Sequence, residues 1–388
     1  MTSPWRTVDA VVVGGGPAGA LAAARLAGSG RRVLLLEKEA LPRYKPCGGG
    51  LVWRARQGLP VDIADCIEHE CHRILISYKH LGKELTVENE RTLISMVMRP
   101  DFDRRLIEHA RALGTEIVEA TGSWRLTQWR DGIELDVEGR PVTARWLVAA
   151  DGARSRAARQ AGWGPFRRLV PAIECELDVD RETLRRFANA ARFDLDFPAD
   201  GYGWVFPKRR HLSVGVCSFA TMVGRSLREP LKCTLADYLR RHRLPTPAQE
   251  HGYVIPVAPR AEGVARGRIM LVGDAAGLAD PVTAEGLSHA LQSGGMAAEA
   301  IVDGDADGSA CARYAERVGR ELMPELRRAR WLGRLMYSSG YVRNALMDRE
   351  GRRLTDLMAR IFLGDERYPK MQASWLRLLP DSGRAGGE

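Results

Sequence analysis

The chain has 388 residues, 45% hydrophobic and 28% charged, with 40 Gly and 20 Pro. That apolar content, with no matching period, excludes a disordered, collagen-like or coiled-coil protein, and at roughly 150 residues per domain the length predicts two or three domains. The 58 basic and 49 acidic residues give a net charge of +9, but no zinc-finger spacing, recognition-helix signature or lysine-rich arm accompanies it, so nucleic acid is not an expected partner.

In chain order, Asp9 to Val13 reads as a short buried strand. Gly14 to Gly19 is a turn, Ala20 to Leu26 a helix of small residues, and Val33 to Leu36 a second buried strand, which together make a βαβ unit. Residues 74–98 and 124–146 alternate loosely, as antiparallel strands do. Between them Phe102, Leu106, Ala110 and Leu113 have helical spacing, Gly114 ends that helix, and Glu116 to Val118 returns to strand. Trp146 to Ala150 is another buried strand. Residues 170–256 read as largely β, with a hairpin closed by the polar turn Lys208-Arg209-Arg210. Arg268 to Val272 is a further buried strand, Leu287 to Val302 a helix, and the pattern from Tyr314 onward is helical, with a loose tail over Asp381 to Glu388.

No charge-free run reaches the ~20 residues of a membrane-spanning helix. Asp9 argues against a signal peptide. The seven cysteines have no framework spacing, so the expectation is reduced thiols in a cytoplasmic protein, soluble or peripheral to a membrane.

Gly14-x-Gly16-x-x-Gly19 follows a strand, opens a helix and precedes Glu37 by 18 residues. Gly14 allows the tight turn, Gly16 lets backbone approach a pyrophosphate, and Gly19 lets helix and strand pack closely. The helix N-terminus favours the phosphate charge, and Glu37 can accept from ribose hydroxyls, so dinucleotide binding is expected here. Gly273-Asp274 sits directly after a strand, where a carboxylate can hold a polyol hydroxyl. Pro281 to Gly286, leading into the helix at Leu287, would present backbone N–H groups and a positive helix end.

Gly14 to Gly19 with Glu37, Asp151-Gly152 and Gly273-Asp274 resemble the FAD-binding signature of the para-hydroxybenzoate hydroxylase-like flavoproteins. Arg99-x-x-x-Asp103-x-x-Leu106 is similar to the arginine motif of that group. Within it, Lys45-Pro46-Cys47-Gly48-Gly49-Gly50-Leu51 and Tyr202-x-Trp204-x-Phe206-Pro207 resemble the geranylgeranyl reductase family. Two departures stand out. Three residues separate Pro198 from Tyr202 where the family has two, and Ala158 stands three residues after Ser155, where the hydroxylases carry an Arg, with Arg156 and Arg159 on either side.

The resemblance implies an α/β (α+β) fold in which a Rossmann-like FAD-binding domain (1–75, 99–165, 266–305) interleaves with an antiparallel β substrate domain (76–98, 166–265) and ends in a helical part (306–388). It implies FAD held by Gly14, Gly16, Pro17, Ala18, Gly19, Glu37, Lys38, Cys47, Gly48, Gly49, Arg99, Asp151, Gly273, Asp274, Pro281, Gly286 and Leu287. It places Cys47, Tyr202 and Trp204 at the reacting bond and Tyr202, Trp204 and Phe206 against a prenyl chain. Residues 202, 204 and 206 share one side of a strand, as such a wall requires or as an ordinary half-buried strand does. Cys47 acts chemically or packs as a small apolar group.

Cys66, His69, Cys71 and His72 crowd one short segment, which strains zinc geometry, and no metal is expected. Residues 320–360 hold ten Arg against five acids. The stripe Trp331, Leu332, Leu335 and Met336 reads as a core-facing helix with a basic side or as a membrane-surface helix, and the charge would favour anionic lipid. The activity implied is saturation of C=C bonds in a prenyl chain on a lipid or diphosphate, by hydride from reduced flavin. A second Gly-x-Gly-x-x-Gly is absent, so the electron donor, NADPH or reduced ferredoxin, binds transiently. A flavin monooxygenase of the same fold and a flavoprotein that carries prenyl lipid without reducing it are the alternatives. Oligomeric state is not legible.

Overall fold

The computed structural model describes residues 6–129, 132–227, 229–304 and 308–370; the expected loose tail lies outside them. β1 (Arg6–Val13), α1 (Pro17–Gly28) and β2 (Val33–Leu36) form the βαβ unit. Next come β3 (Gly50–Val52), α2 (Trp53–Gln57), β4 (Ile67–Cys71), β5 (Arg73–Tyr78), β6 (Lys83–Glu88) and β7 (Ile94–Val97). α3 (Arg99–Ala112) leads to β8 (Glu116–Val118), β9 (Trp124–Trp129), β10 (Gly132–Val137), β11 (Arg140–Ala149) and α4 (Arg156–Gln160). The middle holds β12 (Val170–Asp178), α5 (Arg181–Phe187), β13 (Ala191–Leu195), β14 (Gly201–Pro207), β15 (His211–Ser218), α6 (Leu231–Arg241) and β16 (His251–Ile255). β17 (Ala265–Arg266), β18 (Ile269–Leu271), α7 (Gly273–Ala276), α8 (Leu287–Gly304), α9 (Ala310–Glu321), α10 (Met323–Ser338) and α11 (Gly340–Leu363) complete it.

One sheet runs β17-β18-β11-β1-β2-β8, with β10 and β9 extending from β11. Its β18, β11, β1, β2 and β8 pair in parallel. Parallel strands covered on both faces must be apolar throughout, and Val33 to Leu36 are all buried. The alanines of α1 allow close helix packing: a Cβ on Gly294 of α8 would lie 2.2 Å from the Ala18 carbonyl oxygen.

A second sheet runs β16-β12-β15-β14-β13-β5-β6, antiparallel except at β13 and β5. Alternation along β14 gives it two different faces. Val205 joins Val214, Val216, Leu235 and Tyr238 in a core under α6. Tyr202, Trp204 and Phe206 face the other way, toward the first sheet. This region, read as largely β from sequence, also contains α5 and α6. Asp180 caps α5 by accepting from the Thr183 N–H at 2.7 Å. Leu231, Leu235, Tyr238 and Leu239 form the buried stripe of α6. β7, expected among the strands of 74–98, instead joins β3 and β4 in a separate three-stranded sheet.

Candidate active site

A cavity lies between the two large sheets, bounded by the first turn of α1, the 45–50 loop, β12, β14 and the 283–287 turn. Gly14 has φ +104°, and a Cβ there would lie 2.4 Å from the Ala150 carbonyl oxygen. A Cβ on Gly19 would lie 2.0 Å from the Gly14 carbonyl oxygen, so only glycine lets α1 press against the turn. These two shape the turn, while Gly16, Pro17 and Ala18 line the cavity. Gly16 caps α1 with no side-chain partner, leaving the first helical N–H groups available to an anion.

Next to that helix end stand two guanidiniums. A Cβ on Gly16 would be 3.8 Å from Arg99 Nη2 and 3.9 Å from Arg43 Nη2. Both share Asp103, which is fully buried. Arg99 donates from Nε at 2.7 Å and Nη2 at 2.8 Å, and Arg43 donates from Nη1 at 2.9 Å. Arg99 lines the cavity and, although desolvated, is held charged by Asp103. Across the cavity Asp274 sits at the start of α7, and Gly286 and Leu287 at the start of α8. A Cβ on Gly286 would approach the Asp274 carboxylate to 3.4 Å. A helix end with two cations, a carboxylate and a second helix end, spread along one cavity, fit FAD: α1 and Arg99 would hold its pyrophosphate, Asp274 its polyol, and Gly286 and Leu287 would face its ring edge.

Several residues expected at the cofactor stand away from this cavity. The side chain of Lys38 is 78% exposed and pairs with Glu39 at 3.1 Å. Asp151 accepts from Ser155 Oγ at 2.5 Å and from the N–H groups of Arg156 and Ala157, so its carboxylate holds the start of α4. Its neighbour Gly152 lines the cavity instead. Pro281 is buried outside this cavity, its carbonyl against α10, where a Cβ on Gly333 would be 2.3 Å away. Glu37 spends its carboxylate on the N–H groups of Gly15 at 2.7 Å and Glu39 at 3.2 Å. In this arrangement it supports the glycine turn.

Cys47, Gly48 and Gly49 line the cavity opposite Trp204 and Phe206. A Cβ on Gly48 would meet Trp204 Nε1 at 2.9 Å and Phe206 at 3.0 Å. The indole N–H of Trp204 is buried with no hydrogen-bond partner in the protein. The Sγ of Cys47 accepts from the Gly49 N–H at 3.4 Å. Tyr202 lines the cavity with its ring, but its hydroxyl donates to the Thr283 carbonyl. That bond makes it an anchor for the 280–286 turn rather than a proton donor. Asp280 fixes the same turn, accepting from the N–H groups of Val282 at 2.7 Å and Thr283 at 2.9 Å.

Sequence reading missed two side chains here. Lys208 is buried, and its ammonium donates to the carbonyls of Gly48 at 2.8 Å and Val97 at 3.0 Å, clamping the glycine loop to β7. Glu174 on β12 lines the cavity, 2% exposed; one oxygen accepts from the Tyr44 hydroxyl and the other has no protein partner. Burial, assisted by Glu176, pushes its carboxyl from 4.5 up to about 8. Because the folded protein holds this proton more tightly than the unfolded chain, stability is expected to fall as pH rises from 4.5 to about 8 and to level above that. Denaturation of Glu174→Gln across this range checks the point: the variant should lack that part of the slope, and equal slopes would count against it.

Of the crowded Cys and His residues, His69 Nε2 bonds the Ala188 carbonyl at 2.6 Å and His72 Nδ1 the Glu90 carbonyl at 3.1 Å. Among the described residues no group of three or more His, Cys, Asp or Glu is placed to hold a metal, and no helix is long and apolar enough to cross a membrane.

The sequence profile of a family described as FAD binding domain matches residues 7–318. The chain is 32% identical over 337 residues to digeranylgeranylglycerophospholipid reductase 2 of Methanopyrus kandleri, covering 80% of this chain and 81% of the relative. It is 30% identical over 373 residues to the chloroplastic geranylgeranyl diphosphate reductase of Oryza sativa subsp. japonica, covering 88% and 78%. Its fold superposes with a TM-score of 0.79 on a geranylgeranyl bacteriochlorophyll reductase-like protein from Thermoplasma acidophilum, at 22% identity over 96% of this chain and 100% of the other. With the flavin-binding features described above, these similarities show that the chain belongs to the FAD binding domain family and, within it, to the FAD-dependent oxidoreductases of geranylgeranyl reductase type.

Proposed function

We propose that the protein saturates isolated C=C bonds of a prenyl chain carried on a lipid or a diphosphate. The observation that carries this reading is the wall of Tyr202, Trp204 and Phe206, because at Tyr202 it borders a second cavity lined by Ile76, Leu195, Met347, Leu357 and other apolar side chains. Phe193, Tyr202 and Thr283 border both cavities, so an apolar chain can lie along the wall with one bond at the flavin cavity.

When bound and reduced, FAD supplies a hydride to one carbon of the alkene. The chain's own residues position the bond and exclude water, and they must provide a proton for the other carbon. Glu174 and Cys47 lie at this cavity with Lys45, His251, Tyr253 and Glu285 as side chains with a transferable proton, and Glu174, raised to about 8 by burial, retains its proton near neutral pH. Trp204 and Phe206, packed against Gly48, flank the chain beside the 47–50 loop. The electrons come from a donor that binds transiently, NADPH or reduced ferredoxin. The protein acts from the cytoplasm on a chain taken from solution or from a membrane surface.

The test is anaerobic incubation of the reduced holoenzyme with geranylgeranyl diphosphate and with a digeranylgeranyl glycerophospholipid, read by mass spectrometry. A gain of two hydrogens per bond, with the flavin reoxidised, is expected. No gain, with rapid flavin oxidation only on admitting air, would establish a monooxygenase instead. Tight lipid binding at unchanged lipid mass would establish a carrier. Flavin reduction by NADPH, or only by reduced ferredoxin, separates the two donors.

A further inference from the structure

The apolar cavity behind Tyr202 adjoins a third cavity, with Leu332 and Tyr368 bordering both. The character changes abruptly there. Arg168, Arg327, Arg328 and Arg334 line this outer cavity beside Trp331. Arg330 adjoins the same cluster, since Arg168, Arg327 and Arg334 all depress its affinity for a proton, as burial does first.

Clusters of arginine on this chain normally meet carboxylates, as Arg43 and Arg99 meet Asp103. Here they do not. Among the described residues Arg168, Arg327, Arg330 and Arg334 have no ion pair. Arg168 Nη1 and Arg330 Nε are buried without a hydrogen-bond partner. Arg328 donates to the Tyr368 carbonyl at 3.2 Å, and Arg334 lies 5.8 Å from the Trp331 ring centroid. Guanidinium groups gathered without counter-charge repel one another, and orphaned N–H groups lack the partners that offset their desolvation. A multivalent oxyanion removes both penalties, and the planar fork of Arg suits phosphate oxygens.

We propose that this arginine cluster is the subsite for a phosphate or diphosphate head group whose apolar chain passes Leu332 and Tyr368 into the cavity behind Tyr202. The assignment rests on the prenyl-chain reading above, and it adds the polarity of the substrate and the direction in which it lies. Three features support that direction. The apolar cavity lies between the two, sharing Leu332 and Tyr368 with the arginine cavity and Phe193, Tyr202 and Thr283 with the flavin cavity. α10 supplies both the basic side chains and, through Leu332 and Met336, part of the apolar lining. Trp331, 47% exposed at the rim, suits the boundary between a charged head and an apolar chain.

The experiment compares the holoenzyme with Arg168→Gln/Arg334→Gln. The substrates are geranylgeranyl diphosphate, a digeranylgeranyl glycerophospholipid in detergent, and uncharged geranylgeraniol. Loss of charge-assisted contacts should raise KM for the phosphorylated substrates by about tenfold or more while leaving geranylgeraniol within about twofold and kcat little changed. An increase for the diphosphate alone assigns a soluble prenyl diphosphate, and an increase for the phospholipid alone assigns a lipid head group. An equal change for all three, or for none, overturns the subsite.

A second readout does not depend on reduction. Inorganic pyrophosphate should raise the thermal midpoint of the wild-type holoenzyme in low salt and leave the variant unmoved. If no substrate is reduced but this protection is seen, the anion site stands and the prenyl reading fails. If reduction proceeds and neither protection nor a charge-dependent KM appears, the subsite fails and the prenyl reading stands.

Discussion

Asp103→Ala is expected to lower stability by about 3–5 kcal/mol, the range for removing one partner of a buried ion pair, and to yield protein purified with little bound FAD. Asp103 is fully buried and receives three guanidinium hydrogen bonds, two from Arg99 and one from Arg43. Without it the side chains of Arg99 and Arg43 remain only 4% and 8% exposed, and the carboxylate nearest Arg43 is Glu37 at 3.6 Å. Glu37 already holds the Gly15 N–H, so any shift toward Arg43 would disturb the glycine turn. The stability loss and the cofactor loss therefore have one origin. Urea denaturation and the ratio of flavin to protein absorbance measure them separately. A variant within about 1 kcal/mol of the wild type, well under the cost expected of a broken buried pair, would show that the arginines relax into solvent.

Asp103 and its arginines also show what a single sequence can reveal. The Arg99–Asp103 pair was legible only through its resemblance to an arginine motif; its spacing of four residues puts both on one helix face, where they bond directly. Arg43 was not, since it comes from a loop 60 residues away and meets Asp103 only once the fold has formed. The same contrast runs through the site. The glycine turn follows a local rule of helix, strand and spacing and was readable, although α1 begins at Pro17, inside the stretch Gly14 to Gly19 read as a turn. Glu174 left no local trace, because one Glu in an alternating strand reads as solvent-facing and only the packing of Tyr44 against it reveals its burial. Asp151 differs in the opposite way. Its motif is recognisable, but its carboxylate is used to cap α4. The stripe on α10 was read correctly as core-facing for Leu335 and Met336, which are buried, while Trp331 is left at the rim of the arginine cavity.

Lys208→Met is expected to slow anaerobic single-turnover reduction by about 100-fold, the scale associated with a displacement of ~1 Å in a reacting group. Its effect on stability should be smaller, about 2 kcal/mol, because two opposing terms meet. The carbonyls of Gly48 and Val97 would each lose a charged donor, which is destabilising. Against this, an ammonium whose pKa is already lowered by burial would no longer be desolvated. The consequence for the site is less balanced. Gly49 has φ +69°, and a Cβ on it would lie 2.0 Å from the Val97 carbonyl oxygen and 2.5 Å from Lys208 Nζ, so loop and strand are in close contact through this ammonium. Cys47 and Gly48, facing Trp204, depend on that contact for their distance from the wall. The charge has a second effect that a purely mechanical clamp would lack. Lys208 lowers the pKa of Glu174, so its removal should move the Glu174 titration higher than about 8. A slowed reaction together with that upward shift identifies the clamp and its charge. An unchanged rate would mean that the pairing of Gly50 with Met96 and the bond from the Val97 N–H to the Gly49 carbonyl at 2.9 Å hold the loop without help.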